Sequence, residues 1–207
     1  MKLFKIALVV LMFLINVLAI AQPSLADRIA KKSLDYPQVT QALAALSKVK
    51  ADPTQSQYTA EELQQKTADL QLQKYILETS EDWGTCRNET GKTLAIYAHK
   101  PKSAGTNTLY YLGNGKTTDD DWDCDGVLLP NDAKVAGFNL TAGEPAALKI
   151  LDGTQLVATT NPDTEEVELN TPLALTKILN VGEANWLIPN LAQADIDAQK
   201  PNAPIDD

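Results

Sequence analysis

Hydrophobic positions follow three successive patterns along the chain. The first is an almost unbroken apolar run over residues 6–21, preceded by Lys2 and Lys5. A second section, ending near residue 78, repeats apolar residues at helical spacing. The remainder contains short runs that alternate apolar and polar residues with the period of a β-strand. The chain is therefore predicted to contain an apolar leader, a helical section and a strand-rich body.

The N-terminal run has the layout of a Sec-type signal peptide. It is shorter than the roughly 20 residues that a membrane-spanning helix needs, so we expect cleavage rather than stable membrane insertion. Small residues at the required offsets predict cleavage after Ala21 or after Ala26, which makes residues 1–26 the signal peptide. We expect an exported protein of the periplasm or the extracellular space, or of the thylakoid lumen if the source is photosynthetic.

Residues 27–78 are predicted to form a helical hairpin. Pro37 stands near the start of the first helix, where its fixed φ angle is tolerated. Thr59 and Glu62 have the spacing of a capping box, which predicts that the second helix begins at Ala60. The apolar stripe of this helix is wide, so we expect the hairpin to pack on the rest of the chain as one folded unit. A partner protein bound to that stripe is the alternative.

Residues 79–192 are predicted to form a β-rich body. Predicted strands begin at Thr93 and cover residues 108–112, 127–129, 135–140, 147–151, 154–160 and 165–169. An Asp152-Gly153 turn predicts a hairpin between two of them. The predicted fold class is α+β, with an N-terminal helical hairpin packed on an antiparallel β-sandwich or half-barrel. A short C-terminal helix over residues 173–179 and a flexible acidic tail over residues 193–207 complete the prediction.

The two cysteines, Cys86 and Cys124, are predicted to form a disulfide. The predicted export, the even cysteine count and the lack of a C-x-x-C motif all favour a disulfide over metal ligation or redox catalysis. The bridge would close a loop of about 39 residues, which corresponds to roughly 4 kcal/mol in the chain-entropy estimate.

Charge narrows the class of partner. The chain has 18 basic and 27 acidic residues, a net charge of -9, and loss of the two leader lysines would leave 16 against 27, or -11. Such a surface repels phosphate groups, so nucleic acid is excluded as a partner. We expect a protein or a cell-envelope component instead.

An acidic segment near residue 121 contains the pattern D-x-D-x-D-G. Interpreted as a calcium loop, it supplies the side chains of Asp121, Asp123 and Asp125, the carbonyl of Val127 and the carboxylate of Asp132. Over twelve residues it resembles the EF-hand loop in residue type, although its last position is Asp and its flanks are not helical. The resemblance implies weak, structural Ca²⁺ binding; a solvated acidic turn is the alternative.

Catalytic motifs are missing from the sequence. His99 is the single histidine and lies near no recognisable nucleophile motif, which predicts a surface histidine. Trp83 and Trp122 lie close to the cysteines, so we expect them to pack over the disulfide. No catalytic or cofactor-binding residue is assigned. The favoured function is an exported, non-enzymatic binding or structural protein; the alternative is a secreted hydrolase that uses acidic residues on carbohydrate or peptide.

Overall fold

The structure is a computed structural model, which describes residue 30 and residues 32–51, 57–101, 107–183 and 185–205. The predicted signal peptide lies outside the described residues. The long elements among these residues are two helices, then eight strands, then a short helix near the C-terminus. Their bounds are α1 Asp35–Ala51, α2 Ala60–Thr79, β1 Thr85–Glu89, β2 Leu94–His99, β3 Thr108–Leu112, β4 Asp123–Leu129, β5 Ala146–Ile150, β6 Gln155–Thr160, β7 Val167–Leu169, a 3₁₀ turn Leu173–Leu175, β8 Thr176–Asn180 and α3 Gln193–Asp197. Within these residues, none of the helices has the length and apolar character needed to cross a membrane.

Local hydrogen bonds fix the starts of the two long helices. Before α1, the Ser33 hydroxyl accepts a hydrogen bond from the amide of Asp35 at 3.1 Å. Before α2, Thr59 Oγ1 accepts from the Glu62 amide at 3.1 Å, and the Glu62 carboxylate accepts from the Thr59 amide at 2.8 Å. These bonds satisfy amides that a first helical turn leaves unpaired. The predicted start of α2 at Ala60 is confirmed.

The strands form two sheets packed against each other. The larger sheet is antiparallel throughout, in the order β3-β2-β4-β5-β8. The smaller has the order β1-β6-β7, with β1 and β6 parallel and β6 and β7 antiparallel. The predicted α+β class, with a helical pair ahead of a β-sandwich, is confirmed, but the small sheet is mixed rather than purely antiparallel.

The predicted hairpin at Asp152-Gly153 is wrong, although its turn and both flanking strands are present. Gly153 has φ 81°, as such a turn requires. However, β5 pairs with β4 and β8, whereas β6 pairs with β1 and β7. The turn therefore carries the chain from one sheet to the other. Turn chemistry sets a local reversal, but the pairing partner depends on which face of each strand is buried.

The C-terminal third also departs from the prediction. In place of a helix over residues 173–179, the chain makes a single 3₁₀ turn and then enters β8, which extends the large sheet. The short C-terminal helix is α3, within the expected flexible tail. Ile196 on α3 is 1% exposed, and the amides of Asn202 and Ala203 donate to the carbonyl of Tyr111. Residues 193–205 are thus folded against the large sheet.

The core between the two sheets surrounds the predicted disulfide. Cys86 on β1 and Cys124 on β4 are bonded, with their Cα atoms 5.8 Å apart, and both are fully buried. Trp122 packs against the same cluster, as expected. Disulfides of this kind are typical of an oxidising, non-cytoplasmic compartment. The opposite face of the large sheet is covered by the C-terminal segment, through Ile188 and Ile196.

The helical hairpin contacts the β-rich body directly. Val39 and Leu77 from the helices form a buried cluster with Leu151 and Leu175 from the body. The side-chain amide of Gln73 also donates to a main-chain carbonyl ahead of β8 at 2.6 Å. The start of α1 lies next to the end of β5, where Asp35 contacts Lys149.

Candidate metal centre

A β-bulge between the two central strands of the large sheet builds the site. The register of β2 and β4 shifts between Gly126 and Cys124, so Asp125 is an extra residue on β4. A bulge redirects the side chain of the extra residue, and bulges are common beside functional sites. His99, the last residue of β2, pairs with Asp123 across the ladder. One histidine and two aspartates are thereby placed at the same end of this strand pair.

Their polar atoms lie close together. His99 Nδ1 is 2.6 Å from Asp125 Oδ2. One potential ligand atom from each of His99, Asp123 and Asp125 lies within 4.8 Å of the other two. The two aspartates are 1% and 7% exposed, respectively. The strand pair therefore gathers one imidazole nitrogen and two buried carboxylates.

The Asp123 carboxylate has few hydrogen-bond donors for a buried charge. Among the described residues, its one hydrogen bond comes from the amide of Gly84, 3.0 Å from Oδ1. A Cβ at residue 84 would lie 2.5 Å from the carbonyl oxygen of Cys124, so glycine is needed for this approach. A buried carboxylate normally requires several donors or a cation, because burial removes its hydration.

A second set of charges forms the neighbouring wall of the cleft. Lys149 on β5 contacts both carboxylate oxygens of Asp35 at the start of α1, at 2.7 and 2.5 Å. Asp152, just after β5, is 7% exposed and accepts a hydrogen bond from Ser33. Carboxylates outnumber cations in this cleft by four to three, even when His99 is counted as charged: Asp35, Asp123, Asp125 and Asp152 against Lys32, Lys149 and His99.

The pKa values of these groups reflect their burial first and the neighbouring negative charges second. The hydrogen bond to Asp125 raises the pKa of His99. Burial raises the pKa of Asp123 well above its usual value, and the charges of Asp152 and Asp125 add to that effect. Burial, together with the charge of Asp35, raises the pKa of Asp152 to about 6. Each shift favours a proton at a place where a bound cation would supply the same compensation.

Aromatic residues line the other side. With its amide oriented to satisfy both neighbours, Asn107 donates to Asp125 Oδ2 at 2.8 Å and accepts from Trp186 Nε1 at 3.0 Å. Trp186 packs on Tyr97, with ring centroids 4.6 Å apart. Trp83 also lines the cleft, whose volume is about 330 Å³. These two hydrogen bonds, from Trp186 to Asn107 and from Asn107 to Asp125, therefore hold the Asp125 carboxylate in position, as the outer partners of a metal ligand do.

The donor set resembles that of a transition-metal site. Zinc is bound by imidazole nitrogen and carboxylate oxygen at about 2.0–2.2 Å, which places donors about 3–4 Å apart. The observed donors lie within 4.8 Å of one another. His99 Nδ1 and Asp125 Oδ2, however, share a hydrogen bond at 2.6 Å, so an ion would need Nδ1 to move away from Asp125 or His99 to bind through Nε2. Calcium takes about six to eight oxygen ligands, more than two carboxylates provide, and histidine is a poor ligand for it. The arrangement therefore suits zinc or a similar ion better than calcium.

The central residues of the predicted calcium loop have a strand backbone: they belong to β4, Asp123–Leu129. Asp123 and Asp125 do come together, but with His99 from the neighbouring strand. The period of two that was interpreted as loop spacing is also the period that puts alternate residues of a strand on one face.

The other three predicted ligands lie elsewhere. Asp121 is exposed in the turn before β4. The main chain of Val127 is paired with strands on both sides, in the ladders of β4 with β2 and β5. Asp132 Oδ1 accepts a hydrogen bond from the amide of Gln193 at 2.9 Å, at the start of α3. These residues therefore have separate structural surroundings.

His99 is the residue that sequence analysis misjudged. Its side chain is 22% exposed and paired with Asp125, so the prediction of a surface histidine is wrong. His99 and Asp125 are 26 positions apart in the sequence. They are brought together by a β-bulge that could not be recognised from the sequence. One usable signal was that the histidine ends one predicted strand while the acidic run precedes another.

Comparisons with protein families, with curated proteins and with solved structures find no match for this chain.

Proposed function

We propose that this protein is an exported, non-enzymatic binding protein that holds one divalent metal ion through His99, Asp123 and Asp125. The observation that carries the proposal is the convergence of these three donors around a buried carboxylate with a single hydrogen-bond donor. A metal ion would supply the positive charge that the surrounding carboxylates lack. The nitrogen donor favours zinc or a related transition metal, and Ca²⁺, expected from the sequence, is the competing ion.

Export is supported by two independent features. The first 26 residues have the charge and hydropathy pattern of a signal peptide. The disulfide between Cys86 and Cys124 belongs to proteins of oxidising compartments. Expression of the full chain in a host with a Sec pathway should give a mature protein that begins at Gln22 or Asp27, as read by N-terminal sequencing. A chain that still begins at Met1 would contradict export by cleavage.

The alternative, an acidic hydrolase, has one observation in its favour. Asp123, Asp125 and Asp152 converge with Trp186 in one cleft, as a carbohydrate site would require. The burial of the carboxylates is our reason for preferring the binding function. With 1% to 7% of each residue exposed, an ion can reach the carboxylates, but a glycosidic or peptide bond has too little room to contact two of them.

Metal titration tests the proposal. The purified mature protein is stripped with a chelator, and Zn²⁺, Mn²⁺, Ca²⁺ and Mg²⁺ are each titrated by calorimetry at pH 7.5. We expect one Zn²⁺ per chain, bound at least about tenfold more tightly than Ca²⁺. His99→Gln and Asp125→Asn should each weaken Zn²⁺ binding by at least about tenfold, because each removes one ligand atom.

Asp121→Asn is the matched control. It removes a carboxylate from the same acidic segment, but that carboxylate is exposed and outside the donor cluster. Its Zn²⁺ affinity should therefore equal that of the wild type. If His99→Gln binds as the wild type does, the site is wrong. If Asp121→Asn abolishes binding and Ca²⁺ is preferred, the EF-hand-like loop is the correct site.

A further inference from the structure

The helical hairpin is attached to the β-rich body by few buried residues. Two residues of α1 are buried, Asp35 and Val39, and α2 contributes Leu77. Val39 and Leu77 pack on the body in one small apolar cluster. Elements with few buried contacts open at a lower free energy than the whole fold. Docking of α1 therefore depends strongly on Asp35, which lies one turn before Val39.

Asp35 makes an ion pair that reaches into the metal cleft. Both of its carboxylate oxygens contact the ammonium group of Lys149 on β5. The side chain of Asp35 is 10% exposed, so solvent screens its charge weakly. Asp35 and Lys149 line the same cleft as His99, Asp123 and Asp125. The start of α1 is therefore a wall of the proposed metal centre.

The charge of Lys149 is shared between the hairpin and the body. It interacts with Asp35, Asp125 and Asp152, and it also acts on Asp123. Three of these four carboxylates belong to the body, and each repels Asp35 when it is ionised. In the metal-free protein, the body therefore attracts the start of α1 less than the ion pair with Lys149 alone would.

We propose that metal binding at His99, Asp123 and Asp125 tightens the attachment of the helical hairpin to the body through Asp35. This inference rests on the proposed metal-binding function. A divalent ion offsets the charge of the aspartates that bind it, so their repulsion of Asp35 is removed while the contact with Lys149 remains. Such coupling is reciprocal, so a docked hairpin also favours the bound ion.

Two lysines in the cleft are repelled by the ion. Lys149 belongs to the body, so its repulsion is present whether or not the hairpin is docked. Lys32 precedes α1 and moves with the hairpin, but it is exposed. Water and salt therefore screen the charge of Lys32 more than that of the buried Asp35. The attraction of Asp35 sets the direction of the coupling.

Amide hydrogen exchange of the full mature protein tests the coupling. Chelator-treated protein is compared with Zn²⁺-saturated protein at pH 8, where protons compete little with the ion. We expect Zn²⁺ to slow exchange in residues 39–46 of α1 at least about fivefold more than exchange in β7. Strand β7, Val167–Leu169, is the internal reference because none of its residues lines the cleft.

Asp35→Asn keeps the size of the side chain and removes its charge. In this variant, the slowing of α1 relative to β7 should fall below about twofold. Glu61→Gln is the matched control: it removes an exposed carboxylate from the first turn of α2, outside the cleft, and should respond as the wild type does. An Asp35→Asn variant with the full response would overturn the role of Asp35.

The wild-type comparison separates this inference from the proposed function and needs no variant. If Zn²⁺ binds at one ion per chain while exchange in α1 is unchanged or faster relative to β7, the coupling is wrong and the metal centre stands. If no Zn²⁺ binds in the calorimetric titration, the proposed function fails and the coupling fails with it.

Discussion

Acidifying the metal-free protein from pH 7 towards pH 5 is expected to stabilise it, which is unusual for an acidic chain. The cause is Asp152, whose pKa rises from 3.8 to about 6 in the folded protein because of burial and the charge of Asp35. Lys149 and the hydrogen bond from Ser33 oppose this rise, and Asp125 adds to it. Between the two pKa values the folded state binds more protons than the unfolded state, so the free energy of unfolding falls as the pH rises.

The magnitude follows from the shift. About two pH units at roughly 1.4 kcal/mol each give about 3 kcal/mol between pH 4 and pH 7. In a domain of this size, that corresponds to about 6–12 °C in the melting midpoint. Asp123, whose pKa is raised by burial, changes stability in the same direction. So does His99: its pKa is raised by Asp125, and a raised histidine pKa stabilises the fold below that pKa.

The assay is thermal unfolding in chelator, from pH 4.5 to pH 7.5, for the wild type and Asp152→Asn. The amide cannot titrate, so the variant should be more stable than the wild type at pH 7 and should depend less on pH. Asp163→Asn, an exposed carboxylate in the β6–β7 loop, should follow the wild type. Saturating Zn²⁺ should reverse the trend, because the donors must lose their protons to bind metal. Parallel profiles for wild type and Asp152→Asn would refute the argument.

Three further predictions concern the scaffold. Reduction of the Cys86–Cys124 bond should lower the free energy of unfolding by roughly 4 kcal/mol, given its separation of 38 residues. The unfolded, unreduced protein should contain no reactive thiol, and two thiols per chain would disprove the pairing. Gly126→Ala should prevent soluble expression, because its Cβ would lie 2.0 Å from the carbonyl oxygen of Leu148; a native circular dichroism spectrum would speak against this. Thr59→Ala should lower the urea-derived stability by about 1 kcal/mol through loss of the helix cap, and an unchanged transition would show that the α2 terminus frays anyway.

Features that depend on neighbouring residues could be predicted from the sequence. The cap at Thr59 fixed the start of α2, and alternation located β2 and β3, because both signals act within a few residues. Strand β1 was missed for a local reason as well. Its buried positions are Cys86 and Asn88, and a buried asparagine hides the alternation. Asn88 is tolerated there because its amide donates to the carbonyls of Lys92 and Leu112.

The candidate site was only half predictable. The acidic run predicted Asp123 and Asp125 as ligands of one ion on a loop, whereas their backbone is a strand. The remaining members come from other elements: His99 from β2 and Asp152 from the end of β5. Their approach depends on strand order and on the bulge at Asp125, neither of which leaves a signal in a single sequence.

The parallel pairing of β1 with β6 has a consequence for how the chain folds. Thr85 lies opposite Gln155, so the ladder between β1 and β6 can form only when residues about 70 positions apart come together. Such long-range pairing slows folding, and an unpaired strand edge in the meantime invites aggregation. The bond from Cys86 to Cys124 closes a loop about half as long and can hold β1 beside β4 while β6 is still unpaired. Refolding under reducing conditions should therefore yield more aggregate than refolding with the bond intact, even at temperatures where the reduced protein is stable.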